Sequence, residues 1–203
     1  VAISREQFEQ MQERLRAKTS RADALDESPE TGSAPADARI ILGVDPSLRG
    51  TGYGVVRISS DQLIAVTHGT ISCPKHWTRS HCLAQISNVL RAVLRDHQPE
   101  VCVVEGLFFA QNLKTALIMG EARGAAMAAV AEGGLDIYEI SPRKVKQAIV
   151  GYGAAQKLAV ARMIQRMLNL TVQPDPDAAD ALALAVAFAN SRRRFTLYPP
   201  KKI

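Results

Sequence analysis

Apolar and polar positions divide this chain into two unlike parts. Over residues 1–18, Phe8, Met11 and Leu15 recur on one helical face and Ser4 with Gln7 resembles a capping box, so a short helix is predicted. Residues 19–38 carry Ser, Thr, Ala, Asp, Glu, Pro and Gly, with almost no large apolar side chains. Such a composition cannot bury enough surface to offset its chain entropy, and a disordered linker is predicted. From Arg39 the pattern changes. Ile40 to Val44 is an unbroken apolar run that ends on Asp45, followed by a glycine-rich turn and a second apolar run from Gly52 to Ile58. Turn residues Ser59-Ser60-Asp61 then lead into a third run from Leu63 to Ser72, which completes an antiparallel meander.

Trp77 to His97 has helical spacing through Leu83, Ile86, Leu90 and Leu94. Val101 to Val104 has no polar face, which predicts a strand buried on both sides and ending at Glu105. An alanine-rich helix over 112–131, a strand over 137–140, and helices over 142–149, 154–168 and 177–191 follow. Three antiparallel strands, then alternating strands and helices, specify an α/β domain over residues 39–191. Its five-stranded mixed sheet carries helices on both faces. Residues 192–203, with Arg192-Arg193-Arg194 and Lys201-Lys202, read as a basic tail. No internal repeat is evident.

Charge sharpens the division. The chain has 25 Lys and Arg against 20 Asp and Glu. Residues 1–39 hold 6 against 8, so the basic excess, 19 against 12, belongs to the rest. A basic body suits a polyanionic partner such as nucleic acid. No apolar run is long enough to span a bilayer, and no charged-then-apolar segment opens the chain, so no membrane association is expected. Three cysteines, Cys73, Cys82 and Cys102, without a Cys-x-x-Cys spacing, point to a reducing, cytoplasmic setting. Cys73, His76, His81 and Cys82 hint at zinc, but adjacent His81 and Cys82 make shared coordination awkward.

The candidate chemistry lies in four acids at element ends. An unpaired carboxylate in a core is costly, so Asp45 needs a compensating partner, and a cation is the natural one. Glu105 ends the fourth strand as Asp45 ends the first. Parallel, neighbouring strands would bring both to one sheet edge, where active sites of open α/β sheets lie. Asp177 and Asp180 are three residues apart and share a helix face, with alanines following that let the helix lie close on the sheet. Oxygen-only ligands favour Mg²⁺ or Mn²⁺ over zinc. Two such ions about 3.5–4 Å apart would serve phosphodiester hydrolysis. Each acid alone has a plainer reading as a helix cap, a dipole partner or a turn former.

Basic residues Arg143, Lys144, Lys146 and Lys157 surround Gly151-Tyr152-Gly153. They suggest a loop that grips phosphate, its glycines permitting close backbone approach, or else a solvated basic face. Small residues Gly120, Gly124, Ala125 and Ala128 would let the alanine-rich helix pack closely, on its own sheet or elsewhere.

Taken in order, Gly43-Val44-Asp45-Pro46-Ser47 with Thr51-Gly52-Tyr53-Gly54, Val104-Glu105-Gly106-Leu107-Phe108, Lys146-Gln147, and Asp177-Ala178-Ala179-Asp180-Ala181-Leu182 resemble the RuvC family. These are Holliday-junction resolvases of the ribonuclease-H-like fold, and the resemblance covers about residues 40–191. It implies a homodimeric, Mg²⁺-dependent endonuclease that nicks two opposing strands of four-way junction DNA in recombination and repair. By position, Asp45 would bridge the metals, with Glu105, Asp177 and Asp180 completing their coordination. Lys146 and Lys157 match residues that act at the scissile phosphate. Phe108 matches an aromatic that stacks on unpaired bases. The resemblance places the alanine-rich helix at a dimer interface and implies a branch-migration helicase complex of the RuvA and RuvB type as partner. Ser47 stands where the family often has Gly, and residues 1–38 have no counterpart in the common pattern.

Two other readings remain at this point. Gly43-Val44-Asp45-Pro46 with a glycine-rich hairpin also resembles the phosphate loop of ATP-binding actin-like domains and sugar kinases, which need a second domain that this length does not supply. A branched-DNA-binding module without catalysis would leave the four acids opposing phosphate for no return.

Overall fold

The structure is a computed structural model, and it describes residues 40–60, 62–106, 112–193 and 200–203. The expected N-terminal helix and linker, and Phe108, lie outside the described residues. In chain order the elements are β1 (Ile40–Asp45), β2 (Gly50–Ser59), β3 (Gln62–Ser72), α1 (Arg79–His97), β4 (Val101–Glu105), α2 (Leu113–Glu132), β5 (Asp136–Ile140), α3 (Pro142–Val150), α4 (Lys157–Met167), α5 (Pro176–Arg193) and β6 (Lys201–Lys202).

One sheet has the order β3-β2-β1-β4-β5-β6. The β1–β2 and β2–β3 pairs are antiparallel, while β4 runs parallel to both β1 and β5. The expected mixed sheet is present with one strand more. Lys201–Lys202, which the sequence reads as part of a solvated tail, pairs antiparallel with β5, Tyr138 opposite Lys202 and Glu139 opposite Lys201. Two lysines carry no strand pattern. The exposed edge of β5 supplies the pairing groups, and Lys202 Nζ meets Asp136 Oδ2 at 2.9 Å.

Alternation along the strands sends side chains into two cores. Leu42, Val44, Val55, Cys102, Val104 and Ile137 face Ile86 and Leu90 of α1 and Ala122 and Ala126 of α2. Ile41, Val56, Val101, Val103, Tyr138 and Ile140 face α3, α4 and the fully buried Leu182, Leu184 and Phe188 of α5. Helix boundaries follow local chemistry. Thr78 caps α1 and Ser141 caps α3, where Pro142 opens the first turn. Gly151, at φ 81°, ends α3 with its N–H on Gln147 O. Helix α4 begins at Lys157, three residues later than the periodicity suggests, because the chain turns at residues 153–154 before it. No helix among the described residues is long and apolar enough to cross a membrane. All three cysteines are buried and free.

Candidate active site

Val44 of β1 lies opposite Val104 of the parallel β4, so Asp45 and Glu105 leave the sheet side by side at its carboxyl edge. Their carboxyl groups lie within hydrogen-bonding reach of each other. Helix α5 brings Asp177 and Asp180 to the same place, and the reason lies in the strands beneath it. A Cβ on Gly52, which pairs with Asp45, would fall 1.9 Å from Asp177 O. One on Gly43 would fall 2.0 Å from Ala181 O, and one on Gly54, its cross-strand partner, 2.8 Å from Leu182. The first turns of α5 therefore rest directly on strand backbone. Only glycine below and alanine above permit that approach.

Crowding four carboxylates has an electrostatic consequence. Burial, then the charges of Glu105 and Asp180, push the Asp45 carboxyl up to about 8, with Lys157 acting against the rise. Glu105 is raised by burial and then by Asp180, and Lys157 and Lys146 oppose it. Burial also raises Asp177. Lys157, the first residue of α4, donates from Nζ to Asp180 Oδ2 at 2.6 Å. That bond raises the Lys157 ammonium above its ordinary range. Asp180 is thus engaged by a cation of the chain itself, and no three His, Cys, Asp or Glu among the described residues already converge as a ligand set. The donor set is four carboxylates with no sulfur or imidazole, which fits a hard divalent ion. A dication would offset the burial and the mutual repulsion that raise the Asp45 carboxyl.

The basic residues divide. Lys146 on α3 is half-buried and acts on Glu105, and Lys157 acts on all four acids, so these two belong to the carboxylate site. Arg143 and Lys144 are exposed on the first turn of α3. The glycines between them have structural work. Gly151 stops α3, and a Cβ on Gly153 would meet Arg143 Cγ at 2.7 Å. The suggested zinc group does not form. Cys82 Sγ accepts from Arg49 Nη1 at 3.2 Å, and Cys73 Sγ faces Cys82 O at 4.0 Å. Arg49 also donates from Nη2 to Trp77 O, which ties the turn after Asp45 to the start of α1. Within that turn, buried Thr51 receives Ser47 N–H at 3.1 Å and donates to Ser47 O.

Sequence reasoning missed Arg123 and Glu139. Arg123 of α2 pairs with Glu139 of β5 and donates from Nε to Glu105 O at 3.4 Å. Nothing in their spacing, sixteen residues on different elements, marks them as partners.

A sequence profile described as crossover junction endodeoxyribonuclease RuvC matches residues 41–188. The protein of that name from Protochlamydia amoebophila is 44% identical over 152 residues, spanning 74% of this chain and 90% of the relative. That of Ruminiclostridium cellulolyticum is 41% identical over 155 residues, 76% and 93% of the two lengths. Among solved structures, T. thermophilus RuvC in complex with Holliday junction substrate superposes with a TM-score of 0.74 at 30% identity, covering 81% of this chain and 99% of that one. The yeast mitochondrial Holliday junction resolvase Ydc2 shares the fold, with a TM-score of 0.55 at 13% identity over 75% and 78% of the two chains.

Proposed function

Since this chain belongs to the RuvC family of crossover junction endodeoxyribonucleases, we propose that it resolves Holliday junctions with Asp45, Glu105, Asp177 and Asp180 as the ligands of Mg²⁺, for which Mn²⁺ substitutes. The observation that carries this reading is the shared carboxyl edge. Two strand ends and one glycine-seated helix bring four acids together, and the packing raises Asp45 to about 8. Bound there, the metal, two ions per site, would supply water activation and charge neutralisation at the leaving oxygen.

The chain's own groups do the rest. Asp45 lies between Glu105 and Asp180 in its electrostatic contacts, which supports the bridging role. Lys157 exchanges its partner Asp180 for the scissile phosphate, and Lys146 holds the opposite side near Glu105. Arg143 and Lys144 continue the basic track onto backbone phosphates, a contact that positions without reading sequence. Phe108 stacks on a base near the crossover.

Paired incision needs two sites, and α2 offers a surface for a second copy. Leu113 and Leu117 are 76% and 58% exposed, and a Cβ on Gly120 or Gly124 would meet nothing within 4 Å. We assign this stripe to a homodimer working with a branch-migration helicase complex in the cytoplasm. The family match over residues 41–188 supersedes the ATP-binding reading, and the complete acid set argues against a module without catalysis.

A synthetic mobile four-way junction incubated with Mg²⁺ and mapped on all four strands tests the reading. Symmetric nicks on two opposing strands are expected. Intact strands with both Mg²⁺ and Mn²⁺ would overturn it.

A further inference from the structure

Among the ion pairs between described residues, Arg123–Glu139 is the most enclosed, its two side chains 14% and 30% exposed. A charge so placed needs a partner, and it has more than one task. From α2, Arg123 Nη2 donates to Glu139 Oε2 on β5, Nε donates to the main-chain oxygen of Glu105 at the end of β4, and Nη1 reaches Met127 Sδ at 2.9 Å. The next residue is held from the other side. A Cβ on Gly106 would lie 3.2 Å from Glu139 Cγ and Cδ, and Gly106 N–H donates to Ile140 O at 3.0 Å. The peptide that follows the Glu105 side chain is therefore held at its oxygen by Arg123, at its N–H by Ile140, and against Glu139 at Gly106. The charges that act on the Glu105 carboxylate are those of Asp180, Lys157 and Lys146, with Asp45 within hydrogen-bonding reach. Arg123 is not among them; what it touches is the Glu105 main chain.

We propose that Arg123, through Glu139 and the Glu105 carbonyl, is a positioning residue that presents the Glu105 carboxylate to the same cation as Asp45. This rests on the metal-site reading above. A planar guanidinium serves both oxygens from one rigid fork. A lysine keeps the charge but offers a single ammonium on a flexible stem.

The test uses the full chain with Arg123→Lys and Glu139→Gln. Mn²⁺ affinity is measured by calorimetry without DNA, junction affinity in EDTA, cleavage against Mg²⁺ concentration, and the thermal midpoint. Loss of a group that orients a ligand typically costs metal affinity about 10-fold or more. Mn²⁺ affinity should fall by that factor in both variants. The Mg²⁺ midpoint of cleavage should rise to match, with turnover largely restored at saturating Mg²⁺ and junction affinity unchanged. A lowered thermal midpoint with unaltered Mn²⁺ affinity overturns the proposal, as does no change in either. If Arg123→Lys does not fold, Glu139→Gln, which keeps its shape and an acceptor, decides by the same readouts. A wild-type chain that never nicks the junction counts against the nuclease reading. A wild type that cleaves while both variants bind Mn²⁺ normally counts against Arg123 alone.

Discussion

Helices α2 and α5 are both built largely from alanine and both lie on the sheet, but they direct their small side chains differently. In α5 every residue from Ala178 to Ala189 except Asp180 is buried, between the strands on one side and α3 and α4 on the other. The strands answer with Gly43, Gly52 and Gly54. Small against small brings two backbones together and fixes what they carry, here Asp177 and Asp180 over Asp45. In α2 a single face is buried, through Ala122, Ala126, Ala129 and Val130, while Gly120 and Gly124 open onto space. A small residue that faces outward does nothing for its own protomer. In our reading the same composition builds a reaction site in one helix and a meeting surface in the other.

The contrast breaks most sharply at the acids that α5 carries. Asp180→Asn keeps the shape and removes the charge, so junction cleavage should fall on the order of 10³-fold. Junction affinity by gel shift and the thermal midpoint should hold. A loss under tenfold would remove Asp180 from the site.

Gly52→Ala tests the seat itself. Its methyl group would overlap Asp177 O, a main-chain atom that no rotamer change can move. Overpacking of this kind costs about 1–3 kcal/mol, read as a lower midpoint in urea. A displacement near 1 Å at a site costs on the order of 10²-fold in cleavage. The matching change on α2, Gly124→Ala, meets open space and gains up to about 1 kcal/mol of helix propensity in the protomer. Equal losses from the two substitutions would erase the distinction between the helices.

Much of this was legible in advance. Alternation around Ile41 and Leu42 and the unbroken Val101–Val104 run announce a sheet covered on both faces. The four acids stand out because each closes or opens an element. The glycine seat was harder to see. Gly43, Gly52 and Gly54 carry no joint signal until the hairpin register sets Gly43 opposite Gly54. Arg123 and Glu139 meet only because β5 returns beside β4, a long-range fact. Strand β6 is written in the edge of β5 more than in its own lysines.

Leu117→Asp sharpens the comparison from the α2 side. The residue is exposed, so the protomer should lose no more than about 0.5 kcal/mol. Sedimentation equilibrium should shift toward monomer, and paired incisions should give way to single nicks. An unchanged dimer would place the second copy elsewhere.

The last test concerns pH. Folding raises the Asp45 carboxyl from 3.8 to about 8, chiefly by burial, then by Glu105 and Asp180. Between those values the folded chain holds a proton that the unfolded chain has released. Stability therefore falls as pH rises: the Asp45 contribution is intact below about 4 and gone above about 8. In EDTA the thermal midpoint should decline across this window, and Asp45→Asn should flatten the decline. Leu117→Asp, on the other helix, should leave the slope as it is. A divalent cation binds the deprotonated set, so Mg²⁺ should raise the midpoint more at pH 8 than at pH 6. A slope that Asp45→Asn leaves intact would place the proton uptake on the other raised carboxyls of the site, Glu105 and Asp177.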